Sequence, residues 1–462
     1  MIGRRLLLTT YYFPPVAGVG VERTLKHVTY LPEQGWQPVV IGSGNPGYRL
    51  VDPASVARIP PGTELHRGFA VEPAHIRQLA RWLGNAARGA RPISNGLATD
   101  AGPVEAESAT NQGGSGGSRL RDALNAAWAW LIPRTFFPDE QLLWVPAAVA
   151  VALRVHQLSP VDAIYSSSPP VSSHLAAAVV ASVTGLPWVA DFRDPWVGNA
   201  FNRALTPVHD ALRGSLERLI VRSAARTVFA TTALRDAYAR RYPALAERFV
   251  TITNGYDADE LADLELPAGG GDGSRPFQLV YAGSVYGDRE LEVFLDGVER
   301  LLAERPQLRD ELRIEFIGWW SAANERLAAS RLPRLAPVVR HSAQVSRSAA
   351  LARVAAADAG LLLLAGGPDR DLFVGAKLFD YLGLDRAVLA VAPPGEIRQI
   401  LSGLDWGVAV DPTPADVARG LEAIIAAGPP SHPADPERRF ERRRLTAQLA
   451  SLLDEVVSAR PA

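Results

Sequence analysis

Twice in this 462-residue chain a short apolar run opens into a glycine-bearing loop and then a helical pattern. The first instance runs from Arg5–Tyr12 through Phe13-Pro14-Pro15-Val16-Ala17-Gly18-Val19-Gly20 into Val21–Leu31. The second runs from Phe277–Tyr281 through Gly283-Ser284-Val285-Tyr286-Gly287 into Leu291–Glu304. Strand, glycine loop and helix make half of a βαβ unit. Further apolar runs continue the alternation in both halves. Pro38–Ile41, Ala163–Ser166, Leu186–Ala190, Thr227–Ala230 and Phe249–Thr253 read as strands of the first half. Leu312–Ile317, Pro337–Val339, Gly360–Leu364, Ala387–Val391 and Gly407–Val410 read as strands of the second. Short strands alternating with helices form parallel sheets covered on both faces. The expected fold is α/β, with two tandem doubly wound, Rossmann-like domains and a cleft between them.

The punctuation places the boundaries. Pro267–Arg275 is glycine-rich and reads as a flexible linker. It divides residues 1–265 from 276–430, with the linker at 266–275. The arginine-rich segment 431–462 is expected to end in a helix, Glu437–Ser458, packing back across both domains. Residues 68–137 read as an insertion, and 95–118, rich in Gly, Ser, Ala and Thr, as its disordered part. Flanking stretches, His75–Ala90 and Arg119–Ile132, have helical spacing. They carry Arg77, Arg81, Arg88, Trp82, Trp128 and Trp130. Basic helices with tryptophan can lie on a membrane surface, but more often they pack on their own domain.

Composition excludes some classes. Net charge is −1 and there is no cysteine. The charge gives no basis for nucleic-acid binding, and thiolate metal sites, disulfides and cysteine nucleophiles are ruled out. No apolar run approaches the roughly 18 residues that span a bilayer. The expected location is the cytoplasm, including the inner face of the cell membrane.

Several clusters carry chemistry. Gly18 and Gly20 let backbone approach a ligand at a helix start, which suits an anion. A dinucleotide fingerprint is incomplete there, because Arg23 occupies the third glycine position, and the next strand ends in Gly42-Ser43 without an acidic residue. Asp191-Phe192-Arg193-Asp194-Pro195-Trp196 follows a strand end, where α/β sheets carry their sites. It also reads as an ion pair capping the next element. Gly375-Ala376-Lys377-Leu378-Phe379-Asp380-Tyr381 follows the apolar run Gly360–Leu364. On a helix it puts Lys377, Asp380 and Tyr381 on one face, with Leu378 and Leu382 inward. A lysine at a helix start suits a phosphate, and an aspartate one turn on suits ribose hydroxyls. His27, His174 and His341 have no ligand-spaced partners and are expected to be packed or surface histidines, with His341 kept as a nucleotide-side candidate.

In order along the chain stand Tyr11-Tyr12-Phe13-Pro14-Pro15, Ser166-Ser167-Ser168-Pro169-Pro170, Asp191-Phe192-Arg193-Asp194-Pro195-Trp196, Asn254-Gly255-Tyr256-Asp257, Tyr281-Ala282-Gly283-Ser284 and Lys377-Leu378-Phe379-Asp380-Tyr381-Leu382. Together they resemble a bacterial glycosyltransferase of the GT-B fold, similar to glycosyltransferase family 4. The likeness runs from the first strand to about Asp411 and skips the insertion.

The resemblance implies a nucleotide-sugar donor in the C-terminal domain and a glycan or lipid-linked acceptor in the N-terminal domain. It implies retention of configuration, no cofactor and no metal. Gly18, Gly20, Gly283 and Ser284 would approach the diphosphate, Arg289 and Lys377 would neutralise it, and Asp380 would hold the ribose. Asp191, Arg193 and Asp194 are the catalytic candidates. Many family members carry a carboxylate eight residues before the ribose carboxylate, but here that position is Leu372, with Asp371 one residue off. Two Asp-x-Asp matches, Asp257-Ala258-Asp259 and Asp369-Arg370-Asp371, lie in turns of the wrong architecture for a metal. The expected role is cell-surface polysaccharide or glycoconjugate synthesis. A nucleotide-sugar epimerase of the same fold and an inactive scaffold stand as alternatives.

Overall fold

The structure is a computed structural model. It describes residues 3–16, 18–47, 51–76, 136–199, 205–264, 275–285, 288–364, 370–404, 406–428, 430 and 432–459. The linker at 266–274, the insertion helices and the stretch 95–118 fall outside these residues, as does the Asp369 of the second Asp-x-Asp match.

The N-terminal sheet has seven parallel strands, β1 (Arg4–Thr9), β2 (Trp36–Ser43), β3 (Glu64–Gly68), β4 (Ala163–Ser168), β5 (Trp188–Phe192), β6 (Arg226–Phe229) and β7 (Phe249–Thr251). Their order is β3-β2-β1-β4-β5-β6-β7. The C-terminal sheet contains β8 (Phe277–Ala282), β9 (Leu312–Ile317), β10 (Val339–Ser342), β11 (Ala359–Leu363), β12 (Ala387–Val391) and β13 (Gly407–Val410). Its order is β10-β9-β8-β11-β12-β13. Every pairing in both sheets is parallel.

Side chains alternate across a strand, so each buried strand feeds two cores. Leu7 of β1 joins Ile164, Ala190 and Trp188 on one face, beneath helices α2 (Val145–Leu158) and α3 (Ser172–Thr184). Leu6 and Leu8 join Tyr165 and Val189 on the other face. That second face is covered by α1 (Val19–Tyr30) and by Leu445, Leu449, Leu452 and Leu453 of the C-terminal helix, Arg442–Ser458. Helices α4 (Pro207–Ser223) and α5 (Thr232–Arg241) complete the domain. In the second half, α6 (Asp288–Glu304), α7 (Ala322–Leu335), α8 (Arg347–Ala356), α9 (Ala376–Gly383), α10 (Glu396–Ser402) and α11 (Pro414–Ala427) surround the sheet; the C-terminal helix is α12.

The chain crosses back beside the Asn254–Tyr256 turn. The Tyr256 amide donates to Phe440 O at 3.0 Å, and the Arg442 amide to Tyr256 O at 2.8 Å. A methyl on Gly255 would come within 2.6 Å of a Leu445 methyl and also meet the Phe440 carbonyl, so glycine permits this crossing. The lead-in stays on the C-terminal domain, with Phe440 against Phe379 at 5.2 Å. The helix itself lies on the N-terminal domain.

Three expectations are corrected. β3, Glu-Leu-His-Arg-Gly, is an additional strand; as a sheet edge with partly exposed polar side chains it lacks the apolar run that marks a central strand. β10 begins at Val339 instead of Pro337 and runs through polar His341 and Ser342, again an edge strand. Tyr381 turns inward. It is 1% exposed, lies against Gly360, accepts from the Ala282 amide at 3.2 Å and donates to Leu361 O at 3.2 Å.

Candidate active site

The Gly18–Gly20 loop, Pro169-Pro170 and Arg193–Trp196 meet beyond the C-terminal ends of β1, β4 and β5. The winding of the sheet reverses between β1 and β4, and open α/β sheets leave a crevice at such a point. Arg193 fastens the loops together. Its Nε donates to Ser168 O at 3.0 Å, and its two Nη groups donate to Gly20 O and Pro169 O. A methyl on Gly20 would lie 2.5 Å from Arg193 Nη1. A side chain there would push the guanidinium off these carbonyls. All three guanidinium nitrogens serve backbone carbonyls, so the catalytic expectation for Arg193 is revised to a positioning role.

Asp191 is likewise revised. It is 0% exposed and forms a two-pronged pair with the 1%-exposed Arg23 on α1, at 2.8 Å from both Nε and Nη2. Tyr165 and Ser167 hydroxyls donate to the same carboxylate at 2.7 and 2.9 Å. Arg23 spends its other donors on Ile252 O and Thr253 O, at 2.8 and 2.7 Å. Burial alone would raise the Asp191 pKa. The Arg23 charge and the donated hydrogen bonds outweigh it and hold the group down at about 2. A carboxylate with four donors and no solvent access pins α1 to the sheet and reaches no substrate.

Asp194 differs. It lines a cavity of about 220 Å³ with Tyr12, Asp139, Gln141, Trp196 and Asn199, under a wall of prolines 138, 169, 170 and 195. Burial pushes its carboxyl pKa up, and the Arg193 charge draws it partly back. Asp139, across the cavity, accepts from the Ser172 amide at 2.9 Å at the start of α3, and from the Ser172 hydroxyl. Carboxylates between aromatic and proline walls suit a polyol with apolar C–H faces. A second cavity of about 220 Å³, beside Pro187 and Glu455, lies at the opposite, N-terminal end of β5 and is far from these loops.

The second sheet repeats the geometry at its own switch point, between β8 and β11. Gly283 follows β8 with φ +136°, and α9 follows β11. Lys377 crosses from α9 to that loop. Its Nζ donates to Tyr281 Oη at 3.1 Å and sits 4.5 Å from the Tyr281 ring centroid, a cation–π distance. A methyl on Gly283 would lie 2.9 Å from Nζ. The Gly283 amide donates to Ile317 O at 2.7 Å, and Ser284 O accepts from Tyr281 Oη at 3.0 Å. Asp380, three residues after Lys377, is 8% exposed and accepts from Arg347 Nη2 at 2.9 Å and Nη1 at 3.2 Å. Sequence reasoning missed Arg347; a lone arginine after a serine N-cap carries no signal of its partner. The Arg289 side chain lies outside the described residues.

The remaining candidates are packed. His27 and His174 are 1% and 0% exposed, facing Thr446 Oγ1 at 3.0 Å and Ser166 Oγ at 2.7 Å. Burial lowers both pKa values, His174 to about 3. His341 stacks on Trp320 with centroids 3.9 Å apart and contacts Gly318 O at 2.8 Å. Asp257 caps the turn Ala258–Ala262 and pairs with Lys26 Nζ at 2.6 Å. Leu372, at the missing carboxylate position, packs on the N-terminal core, and its carbonyl accepts from Thr231 Oγ1 at 2.9 Å. No described helix is long and apolar enough to cross a membrane.

Comparison with known proteins bears on this arrangement. Residues 94–255 match the glycosyl transferase 4-like domain. A glycosyltransferase from Rickettsia africae superposes with TM-score 0.59 at 10% identity, over 99% of this chain and 100% of that one. HepE of Anabaena, solved with UDP and glucose, gives 0.55 at 12%, over 98% and 100%. The lipopolysaccharide outer core galactosyltransferase WaaB gives 0.53 at 12%, over 97% and 99%. A search of curated protein sequences finds no match. With its tandem sheets the chain has the GT-B fold of these structures, and residues 94–255 are similar to the glycosyl transferase 4-like domain.

Proposed function

We propose that the protein transfers a sugar from a nucleotide-sugar donor to a glycan or lipid-linked acceptor, with retention and without a required metal, in polysaccharide or glycoconjugate synthesis. The observation that carries the donor half is Lys377 laid across Gly283 at the switch point of the second sheet. A glycine with positive φ lets the loop backbone come close to a bound group, and the cation at the start of α9 suits a diphosphate. As the nucleoside diphosphate leaves, charge builds on its phosphate, and Lys377 with the loop amides would stabilise it. HepE binds UDP and glucose, which supports a nucleotide-sugar donor here. In the N-terminal domain, the Asp194 cavity would take the acceptor. Its carboxyl accepts the hydrogen bond of the reacting hydroxyl, and Tyr12 and Trp196 flank the sugar ring. Cytoplasmic placement, with contact at the inner membrane face, belongs to this reading.

Calorimetric titration with a panel of nucleoside diphosphates, followed by incubation with the matching nucleotide sugars, tests the proposal. One nucleotide should bind, and its sugar should be slowly hydrolysed without acceptor. Lys377→Ala should weaken nucleotide binding, while Asp194→Asn should lower transfer and leave nucleotide binding intact. Absence of any nucleotide binding at millimolar concentration would refute the donor reading. Conversion of the donor sugar into its epimer without acceptor would replace transfer by epimerisation.

A further inference from the structure

Asp380 is held from outside its own helix. Arg347, the first residue of α8, forks onto both carboxylate oxygens at 2.9 and 3.2 Å. The third edge of that guanidinium, Nε, donates to Glu260 Oε1 at 2.9 Å. Glu260 belongs to the N-terminal half, in Ala258–Ala262. It stands 3.4 Å from Lys26 Nζ and 3.7 Å from Arg58 Nη2. Arg58 in turn forks onto Glu22 at 2.7 and 2.6 Å. Lys26 and Glu22 ride on α1, the helix entered through Gly18–Gly20.

A forked guanidinium–carboxylate pair fixes the plane of the carboxylate as well as its distance. It uses one lone pair on each oxygen and leaves another on each for a hydroxyl. Asp380 without Arg347 would be a nearly buried carboxylate free to rotate about its terminal bond. We infer that Arg347 is a positioning residue for the nucleoside. It holds the Asp380 carboxylate oriented to accept hydrogen bonds from the vicinal hydroxyls of the donor ribose, and through Glu260 it ties that site to α1 of the other domain. The inference rests on the nucleotide-donor reading above. The carboxylates of Asp380, Glu260 and Glu22 outweigh burial and raise the Arg347 pKa, so its charge persists at any working pH. A lysine would keep the charge and lose the fork.

The test uses the full chain and isothermal titration with the nucleoside diphosphate found in the panel and with its 2′,3′-dideoxy analogue. The variants are Arg347→Gln, Arg347→Lys, Asp380→Asn and Glu260→Gln, each checked for its thermal transition. Wild type should lose about tenfold in affinity with the dideoxy analogue, the factor carried by a hydrogen bond to a charged group. Asp380→Asn should bind both nucleotides alike. Arg347→Gln and Arg347→Lys should behave as Asp380→Asn does, weak for the natural nucleotide and no weaker for the analogue. Glu260→Gln should keep the wild-type ratio, because the Arg347–Asp380 fork remains. An Arg347 variant that keeps that ratio, or loses both nucleotides in equal proportion, overturns the inference and leaves the donor reading standing. A wild-type chain that binds no nucleotide overturns both.

Discussion

Arg23→Met removes the charge that faces Asp191 while nearly preserving side-chain length. Breaking one side of a buried, hydrogen-bonded pair costs about 3–5 kcal/mol, because the other charge stays buried alone. Here Asp191 is 0% exposed and would keep only the Tyr165 and Ser167 hydroxyls. The Ile252 and Thr253 carbonyls would also lose their donor. About 4 kcal/mol is the expected loss at pH 7.5. The sign of the pH dependence is specific. In wild type the folded-state pKa of about 2 lies below the ordinary aspartate value of 3.8. That contribution to stability is present above pH 3.8 and lost as pH falls through 2. In the variant, burial dominates and the folded-state pKa rises above the unfolded value. The penalty is then present at neutral pH and shrinks as the carboxyl takes up a proton, by up to about 1.4 kcal/mol per pH unit. Urea unfolding, read through exchange of β1 and β5 amides, measures both quantities at pH 7.5 and 4.5. Arg23→Met/Asp191→Asn closes a double-mutant cycle and should recover about 2 kcal/mol of the loss. A loss below about 1 kcal/mol, one that ignores pH, or strict additivity in the cycle would each refute the assignment of this pair as the pin of α1.

Gly283→Ala places a side chain at φ +136° and against Lys377. Titration should show at least about a tenfold loss in nucleoside-diphosphate affinity, equivalent to about 1.4 kcal/mol, and an unchanged dissociation constant would remove Gly283 from the donor site. His27 and His174 are buried with lowered pKa values, so the unfolded chain binds their protons first. Their contribution is full above pH 6.5 and is lost as pH falls from there towards the His174 value of about 3. The combined slope approaches about 2.7 kcal/mol per pH unit. Wild type should show this acid sensitivity in urea midpoints, His174→Gln should lose about half of the slope, and an unaltered slope would count against His174 as its source.

The tandem α/β architecture was legible because both sheets are parallel and buried on two faces, which forces short apolar strands between helices. Edge strands β3 and β10 carry no such run, since solvent takes one side. The candidate site was legible only as a set of motifs. Residue types named Asp191, Arg193 and Asp194 together, but strand alternation already separates the first. Trp188, Ala190 and Phe192 enter one core and Val189 enters the other, so Asp191 must point towards α1. What no local pattern supplies is the partner: Arg23 is 168 residues from Asp191, and Arg347 is 33 residues from Asp380.

Leu372 connects these points to the domain seam. At that position the chain meets the N-terminal domain. Leu372 packs on its core and accepts from Thr231, while Glu396 on α10 accepts from the Ala233 amide at 2.6 Å, at the start of α5. A carboxylate in place of Leu372 would be pressed against an apolar cluster, a costly site for an unpaired charge. The seam thus favours leucine there for packing, and a further polar link between domains runs through Arg347, Glu260 and α1. Both halves of the site hang on this arrangement. Arg193 holds the Gly20 loop to the N-terminal sheet, and the ion pairs through Glu260 hold the same helix to Asp380. A change at Gly20 should therefore be felt at the Asp194 cavity through Arg193, while the Arg347–Asp380 fork should hold its own geometry.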